Sequence, residues 1–590
     1  MIRMNRSLPL CAIAAGNDVG CLATGATHLG VEAHGATATA LLGLGDFLLA
    51  ATAVQWPCMR SPARTTVGHL GERTTATHPR KRGITSAAPV VHDLSHRDKS
   101  VPKQNAPVPP GPIYAAIGPA TVGDGCAGIC VIPRTGTVIP MPTRRTFLLA
   151  AAGLALTPAL ARCVSSRTAP AFLKEVGPRR PDKLRIACIG TANRAWDNIQ
   201  EVRSEQIVAL CDVDSTYLDR AGNEFPDAAR AVEWQQVVEY RRELDLDGIV
   251  IATPDHAHFP MAAAALRAGI PVYCEKPLTH TREQAVQLRR LARAARVPTQ
   301  MGTQIHATEN YRRVVEAVRA GVIGRVTAVD CWQLKSWGDG KLTPGAVCPA
   351  TLDWNAWLCG TPRVPYIAGI HPAHWRRYWA YGSGTLGDMG CHIMDLPVWA
   401  LGLAPCADLP AGSVKGGTST IPLKMEVRAD GPPLDAVGTP AWLEASWAMP
   451  GIAAGPAGVS LDPLVLRWFD GGRMSPFVQE IGAKDKQDYH GRFSVCFQGT
   501  EGALFANYDE MLVWPGARAT EWTARVASGT TGITPLAASR GHHAEWLQAI
   551  RDRAPNAPLC NFEYSGRLTE LVLAGTEAYR AGKQIDVTIQ

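Results

Sequence analysis

The sequence predicts two folds in series, an α/β domain over 183–305 and an α+β domain with an open, mostly antiparallel sheet over 306–590. Two observations carry this reading. From residue 183 short apolar strands alternate with helical patterns, as in a doubly wound parallel sheet. Beyond 306 come alternating segments such as "AWLEASWAM" (441–449), "LVLRWFDGG" (464–472) and "FSVCFQGTEGALFAN" (493–507), which read as antiparallel strands and hairpins. "GHHAEWLQAIRD" (541–552) and "GRLTELVLAGTEAYRAG" (566–582) follow as helices.

The chain ahead of these domains reads differently. Residues 1–140 are rich in Ala, Thr, Gly, His and Pro, lack sustained periodicity and include "VPKQNAPVPPGP" at 101–112, so they are expected to be a non-native or disordered extension. Residues 141–161, "MPTRRTFLLAAAGLALTPALA", combine paired arginines, an apolar run and a small-x-small ending at Ala159-Leu160-Ala161, which is the pattern of an export signal. Arg144-Arg145 followed by Phe147-Leu148 resembles the twin-arginine type, whose export machinery carries folded proteins to the periplasm. Such signals act at an N-terminus, so Met141 is the expected start. Cys163 loosely resembles a lipoprotein site, which leaves a membrane-tethered form open, although Arg162 before it argues against lipidation. Residues 162–182 read as a linker.

The formal net charge of +7 belongs to this leader. Residues 1–140 hold 12 basic and 7 acidic side chains, whereas 181–590 hold 40 and 44. A mildly acidic body excludes the nucleic-acid partner that the overall charge would suggest.

Within the first domain, "KLRIACIG" (183–190) is a strand, "TANRAWDNIQ" opens a helix and "QIVALCDVD" (206–214) is a second strand. The turn Gly190-Thr191-Ala192-Asn193-Arg194-Ala195 stands where a Rossmann dinucleotide fingerprint has G-x-G-x-x-G/A. Gly190 permits the tight turn and Ala195 allows close helix packing, while Ala192 replaces the glycine that usually lets the backbone approach the pyrophosphate. Asp212, 22 residues after Gly190, is placed to accept a ribose 2′-hydroxyl, and its charge favours NAD over NADP. Asp214 could share that role, and Arg194 leaves room for NADP.

"LDGIVIATPDHAH" (246–258) and "PVYCEKPLTH" (271–280) are two further strands that break into polar ends, Thr253-Pro254-Asp255-His256-x-His258 and Glu275-Lys276-Pro277. An ammonium at the carboxyl end of a parallel strand sits where such sheets bind ligands, and it favours a developing alkoxide. About 110 residues on, "YGSGTLGDMGCHIMD" (381–395) sets Asp388 and His392 four apart, on one face if helical. A histidine there can take a hydroxyl proton, with the carboxylate orienting it or binding the sugar.

Together the glycine turn, the Thr253–His258 loop, Glu275-Lys276-Pro277 and the Asp388-x-x-x-His392 spacing resemble the Gfo/Idh/MocA oxidoreductases, and the resemblance covers about 183–590. It implies a nicotinamide cofactor, NAD or NADP, held tightly by Gly190, Thr191, Ala192, Asn193, Arg194 and Asp212. The loop residues Thr253, Pro254, His256 and His258 would lie beside the nicotinamide, with Glu275 and Lys276 near its ribose. Lys276, Asp388 and His392 would form the catalytic set, and the Lys276–Pro277 peptide would be cis. The implied reaction is oxidation or reduction of a secondary alcohol of a sugar or glycoside by hydride transfer. One alternative is an NAD-dependent glycoside hydrolase that works by transient oxidation and elimination; another is a catalytically silent sugar-binding relative. Homo-oligomers through the second-domain sheet are implied as well.

"LDWNAWL" (352–358), "HWRRYWAYGSG" (374–384) and "CWQLKSWG" (331–338) cluster aromatic residues with arginines. Most of these tryptophans are expected to pack the second domain, with Trp375 and Arg376 on the substrate side. No spacing among His256, His258, Asp388, His392, His542 and His543 demands a metal, and none is expected. Cys188, Cys211 and Cys274 fall inside predicted strands as buried small hydrophobes, not as a disulfide framework. The processing reading predicts that the mature protein from its native host has an intact mass with no residue before 141; a mature species that retains earlier residues overturns it.

Overall fold

A computed structural model describes residues 172–173, 176–404, 422–451 and 462–589. The extension and the export signal lie outside the described residues, as does most of the linker. The strand runs of the first domain form one six-stranded parallel sheet: β1 (Arg185–Ile189), β2 (Gln206–Cys211), β3 (Ala229–Ala231), β4 (Gly248–Ile251), β5 (Val272–Cys274) and β6 (Thr299–Met301). Their order is β3-β2-β1-β4-β5-β6. The order reverses between β1 and β4, which opens a crevice at the carboxyl ends of those strands. Gly190 closes β1 at φ +89°, and a Cβ there would stand 2.3 Å from the Ala252 carbonyl oxygen at the end of β4. Only glycine fits that approach.

Nearly continuous apolar strands require cover on both faces. The sequence assigned everything after 306 to the second domain, but the helix His542–Asp552 comes back to the first. Trp546 and Leu547 join Ile186, Cys188, Ile199, Val250 and Tyr273 in one buried cluster. The Trp546 ring lies so close to Gly248 that a Cβ there would meet it at 2.9 Å. The core of the nucleotide domain is therefore finished by residues far downstream.

The second sheet has eight strands: β7 (Val326–Gln333), β8 (Leu423–Asp430), β9 (Glu444–Met449), β10 (Leu464–Asp470), β11 (Val495–Gly499), β12 (Gly502–Ala506), β13 (Met511–Trp514) and β14 (Ile585–Ile589). They are ordered β13-β12-β11-β7-β10-β9-β8-β14. The sheet is mostly antiparallel, as the sequence predicts; the exception is the segment 464–472, read as an antiparallel strand, whose β10 runs antiparallel to β9 and parallel to β7.

The helix Phe562–Ala581 joins the two domains. Asn561 caps its first turn by accepting the backbone N–H groups of Glu563 and Tyr564, and Gly582 ends it in the left-handed conformation. On one side Arg289, from the helix Arg282–Ala295 of the nucleotide domain, forms ion pairs with Glu563 and Glu570, each at 2.6 Å. On the other side Trp447 Nε1 of β9 donates to the Leu571 carbonyl at 2.9 Å. Gly575 permits this packing, because a Cβ there would fall 2.7 Å from both Trp447 and Leu386. Among the described residues no helix is long and apolar enough to cross a membrane. All nine cysteines in the described regions are unpaired, and seven of them are buried.

Trp447 is wholly buried at this joint. Trp447→Ala should cost about 3–5 kcal/mol, seen as a lower urea midpoint; an unchanged midpoint would show that the joint contributes little.

Candidate active site

A cavity of about 860 Å³ occupies the crevice, running from Gly190, Asp212 and Thr253 to Lys276, Arg376, His392 and Tyr508. That volume is within the range of ligand and cofactor sites.

At its first end the turn after β1 is braced by Asp212. The Thr191 backbone N–H and hydroxyl both donate to Asp212 Oδ2 at 2.8 Å, and the Asp214 N–H donates to Oδ1 at 3.0 Å. Burial pushes the Asp212 carboxyl up. With Oδ2 filled, one acceptor position remains, on Oδ1, for a ribose hydroxyl, so Asp212 shapes the turn as well as facing the cavity. Asp214 is committed elsewhere: it caps the helix Ser215–Glu224 through the Thr216 N–H. The turn takes its positive φ at Asn193 (+53°) rather than at Ala192. Ala192 itself is not among the positive-φ residues, so the turn does not need a glycine there for its backbone conformation. Thr191, Ala192, Asn193 and Arg194 all line the cavity, as do Thr253 and Pro254.

Glu275 lies at the end of β5, 4% exposed yet ionically matched. It accepts from Asn198 Nδ2 at 3.0 Å and Gln304 Nε2 at 2.8 Å, and Arg194 Nε stands 3.8 Å away. His543, on the returning helix, lies with Nε2 3.0 Å from Asn198 Oδ1. Burial pulls His543 down to about 3, so it is a neutral imidazole. Its donation to the amide oxygen turns the amide nitrogen towards Glu275. The sequence reading missed Asn198 and Gln304, because nothing in their local patterns distinguishes them from helix-surface residues, and it weighed His543 only as a metal ligand.

The two loop histidines require a correction, since neither lines the cavity. His256 Nε2 lies 3.1 Å from the Trp357 carbonyl oxygen, its ring packs against Trp357 and Tyr381, and burial lowers it to about 4. His258 has a ring nitrogen 2.8 Å from each of the Pro277 and Thr253 carbonyl oxygens. It ties the end of β4 to the segment after β5. Both act from beneath the site, because the first turn of the helix Asp255–Arg267 points them inward.

At the far end Lys276 Nζ donates to the Asp388 carbonyl oxygen at 2.6 Å and to Asp388 Oδ1 at 2.8 Å. An ammonium has three N–H groups, so one remains for the cavity that Lys276 lines. The Lys276–Pro277 peptide is cis. Asp388 lies in the helix Gly384–Ile393 with His392 one turn on. Its carboxylate meets Lys276 and Arg376 Nε (2.9 Å) on Oδ1, and Lys335 Nζ (2.6 Å) and Trp337 Nε1 (2.7 Å) on Oδ2. Burial alone would raise this carboxyl, but Lys276, Arg376 and Lys335 hold it well below the usual range. All four lone-pair positions are taken. Asp388 therefore neither bonds His392 nor has room for a sugar hydroxyl; it holds Lys276. The sequence reading had quoted Lys335 and Trp337 only as part of an aromatic cluster.

His392 lines the cavity, with Tyr508 edge-on to its ring. Burial first, and the Lys276 charge second, hold it well below the ordinary histidine range, so the imidazole is neutral. Its buried Nδ1 has no hydrogen-bond partner among the described residues. Tyr508, in the turn after β12, went unnoticed in the sequence. Its hydroxyl is pushed up to about 12 by burial, so it is a donor throughout the neutral range. Trp375 and Arg376 both line the cavity, the guanidinium lying 4.1 Å over the indole. Of the other tryptophans in these segments, Trp354 stacks on Trp357, which also lines the cavity, Trp332 stacks on His490 and Trp379 packs on Tyr579.

One buried cluster and one buried carboxyl lie outside the cavity lining. His306, Asp395 and Cys560 bring potential metal ligands within 4.8 Å of one another. Asp395 is already satisfied by His306 Nδ1 at 2.9 Å and the Tyr564 hydroxyl at 2.7 Å, which makes a core hydrogen-bond network. Asp255 is 2% exposed, and burial pushes its carboxyl up to about 8 against the pull of Arg376 and Lys276.

Residues 184–303 match "Oxidoreductase family, NAD-binding Rossmann fold", and 317–447 match "Oxidoreductase family, C-terminal alpha/beta domain". Over these residues the chain carries the two domains of the Gfo/Idh/MocA oxidoreductase family, the first an NAD-binding Rossmann domain. It is 24% identical to the rhizopine catabolism protein MocA of Rhizobium meliloti, over 41% of this chain and 67% of that one. It is 23% identical to the levoglucosan dehydrogenase of Pseudarthrobacter phenanthrenivorans, over 47% and 58% respectively. It is 30% identical to an alpha-N-acetylgalactosaminidase of Tannerella forsythia, over 34% and 47%. The chain thus spans about half to two thirds of the length of these curated relatives.

Asp255 supplies a pH test with a definite sign. Its folded pKa is raised above that of the unfolded chain, so the folded state is penalised increasingly as pH rises from about 4 to about 8. Asp255→Asn removes this term. The variant should gain about 1.4 kcal/mol on the parent for each pH unit between 5 and 8, measured by urea unfolding; a pH-independent difference would show that Asp255 is ionised in the fold.

Proposed function

We propose that this oxidoreductase acts on a secondary alcohol of a sugar or glycoside, with NAD as hydride acceptor or donor. The single observation that carries the reading is the pairing, across one end of the cavity, of an ammonium with an unspent N–H and a neutral histidine. Gly190, Thr191 and Asn193, with Asp212 at the ribose end and Glu275 at the nicotinamide end, are the residues that would hold the dinucleotide. When bound, NAD supplies the acceptor for hydride from the alcohol carbon.

The rest of the chemistry falls to the chain. Lys276 donates its free N–H to the substrate oxygen and offsets the charge that builds there as the C–H bond breaks. His392 accepts the hydroxyl proton, so the alcohol loses one hydride and one proton and becomes a ketone. Tyr508 offers a further donor to the sugar. Asp388 fixes Lys276 and takes no proton. Neutrality of His392 keeps it a base well below pH 6.5, so the forward rate should be lost only on more acidic titration.

The relationship to a galactosaminidase supports a second reading, in which transient oxidation acidifies a neighbouring C–H, permits elimination and is reversed after water adds. The twin-arginine pattern supports action in the periplasm with a tightly retained dinucleotide, taken up before export. The experiment that tests these readings starts from protein purified from a periplasmic fraction. Denaturation should release about one NAD per chain; an empty site would remove the retained-cofactor reading. Supplied with candidate glycosides, the enzyme should either change its 340 nm absorbance or release free sugar without net redox change, and the two outcomes separate dehydrogenase from hydrolase. Lys276→Ala should lower either activity by about 10²-fold or more; unchanged turnover would refute the site assignment.

A further inference from the structure

We infer that the substrate carries a negative charge, most simply a sugar carboxylate, and that Arg376 binds it. The inference rests on the sugar-alcohol reading of the same cavity and adds its charge. Three cations, Lys276, Arg376 and Lys335, converge on the single carboxylate of Asp388. Glu275 does not offset the excess, because it faces Arg194, Asn198 and Gln304 at the cofactor end, and Asp255, the other carboxyl near Lys276 and Arg376, is kept protonated by burial up to about pH 8. The substrate end is thus left with two positive charges more than its own anion neutralises, in a partly buried setting where unmatched charge is costly.

Arg376 is built to receive the missing anion. Its Nε is spent on Asp388 and its Nη1 lies 3.3 Å from the Ala373 carbonyl oxygen, while Nη2 bonds no described residue. The guanidinium plane is set by Trp375 at 4.1 Å and faces Trp337 at 5.6 Å. Fixing the plane pre-orients the remaining N–H groups, and a guanidinium with an unspent edge on a cavity wall suits a planar carboxylate better than a hydroxyl. The indole of Trp375 beside it offers an apolar surface for a sugar ring.

The test measures binding to the full-length, NAD-loaded protein by calorimetry, independently of turnover. The probes are methyl glycosides in pairs that differ only at C6: glucuronide and glucoside, galacturonide and galactoside, mannuronide and mannoside, each with its 6-sulfate. At least one uronide should bind about ten-fold or more tighter than its neutral partner. Arg376→Gln should bring that preference to within about two-fold, whereas Arg376→Lys should keep part of it. Lys335→Met, which removes the exposed member of the cluster, should weaken the preference and leave the Arg376 contact in place. If every neutral glycoside binds as well as its uronide, or if the preference survives Arg376→Gln, the inference falls. Tighter binding of 6-sulfates than of uronides overturns the carboxylate as the charge. Because binding is read without chemistry, failure of hydride transfer would count against the proposed reaction and leave this question answered.

Discussion

The carboxylate of Asp388 is the constraint on which the site depends. It sits in the helix Gly384–Ile393, buried, and it is filled on every lone pair by Lys276, Arg376, Lys335 and Trp337. Those four groups come from both domains and from two separate loops of the second. Burying a carboxylate is costly unless it is paired, and here the pairing draws β5 of the nucleotide sheet and the arginine and lysine loops onto a single helix. Domain placement, lysine orientation and the electropositive character of the substrate end are consequences of one buried anion.

The second domain brings that helix to the crevice through the joint formed by the helix Phe562–Ala581. Its ion pairs with Arg289 face the nucleotide domain, and its close packing on Trp447 and Leu386 faces the large sheet. Glycine at 575 sets the separation of helix and sheet, and a wider separation would lift the Asp388 helix away from Lys276. Packing in the core and the placement of Asp388 beside Lys276 are linked through the one helix.

Much of the first domain was legible in the sequence because its signals are local. A glycine whose Cβ would strike a carbonyl, an acid at the next strand end and a Glu-Lys-Pro strand terminus are each contained in a few residues. The sequence also placed Lys276, Asp388, His392, Trp375 and Arg376 in one neighbourhood. What it could not show was the allocation of hydrogen bonds. His256 and His258 have the residue types of ligand-binding groups, but the first turn of their helix points them at backbone carbonyls. Asp388 and His392 share a helix face, yet the carboxylate is spent on cations from elsewhere in the chain. Lys335, Trp337 and Tyr508 lie on loops whose approach to the cavity is set by the eight-stranded sheet, and no short-range pattern encodes it. The parallel pairing of β10 with β7 was hidden for the same reason, since alternation fixes a face and not a direction.

The helix His542–Asp552 changes how the molecule must be assembled. Its Trp546 completes the nucleotide-domain core, and its His543 orients the amide that holds Glu275, across a separation of 345 residues. A ribosome that has finished the six parallel strands has therefore not yet made a finished cofactor pocket. The pocket is complete only once the returning helix has been synthesised and docked. That dependence withholds a fully ordered pocket from any product truncated before the returning helix.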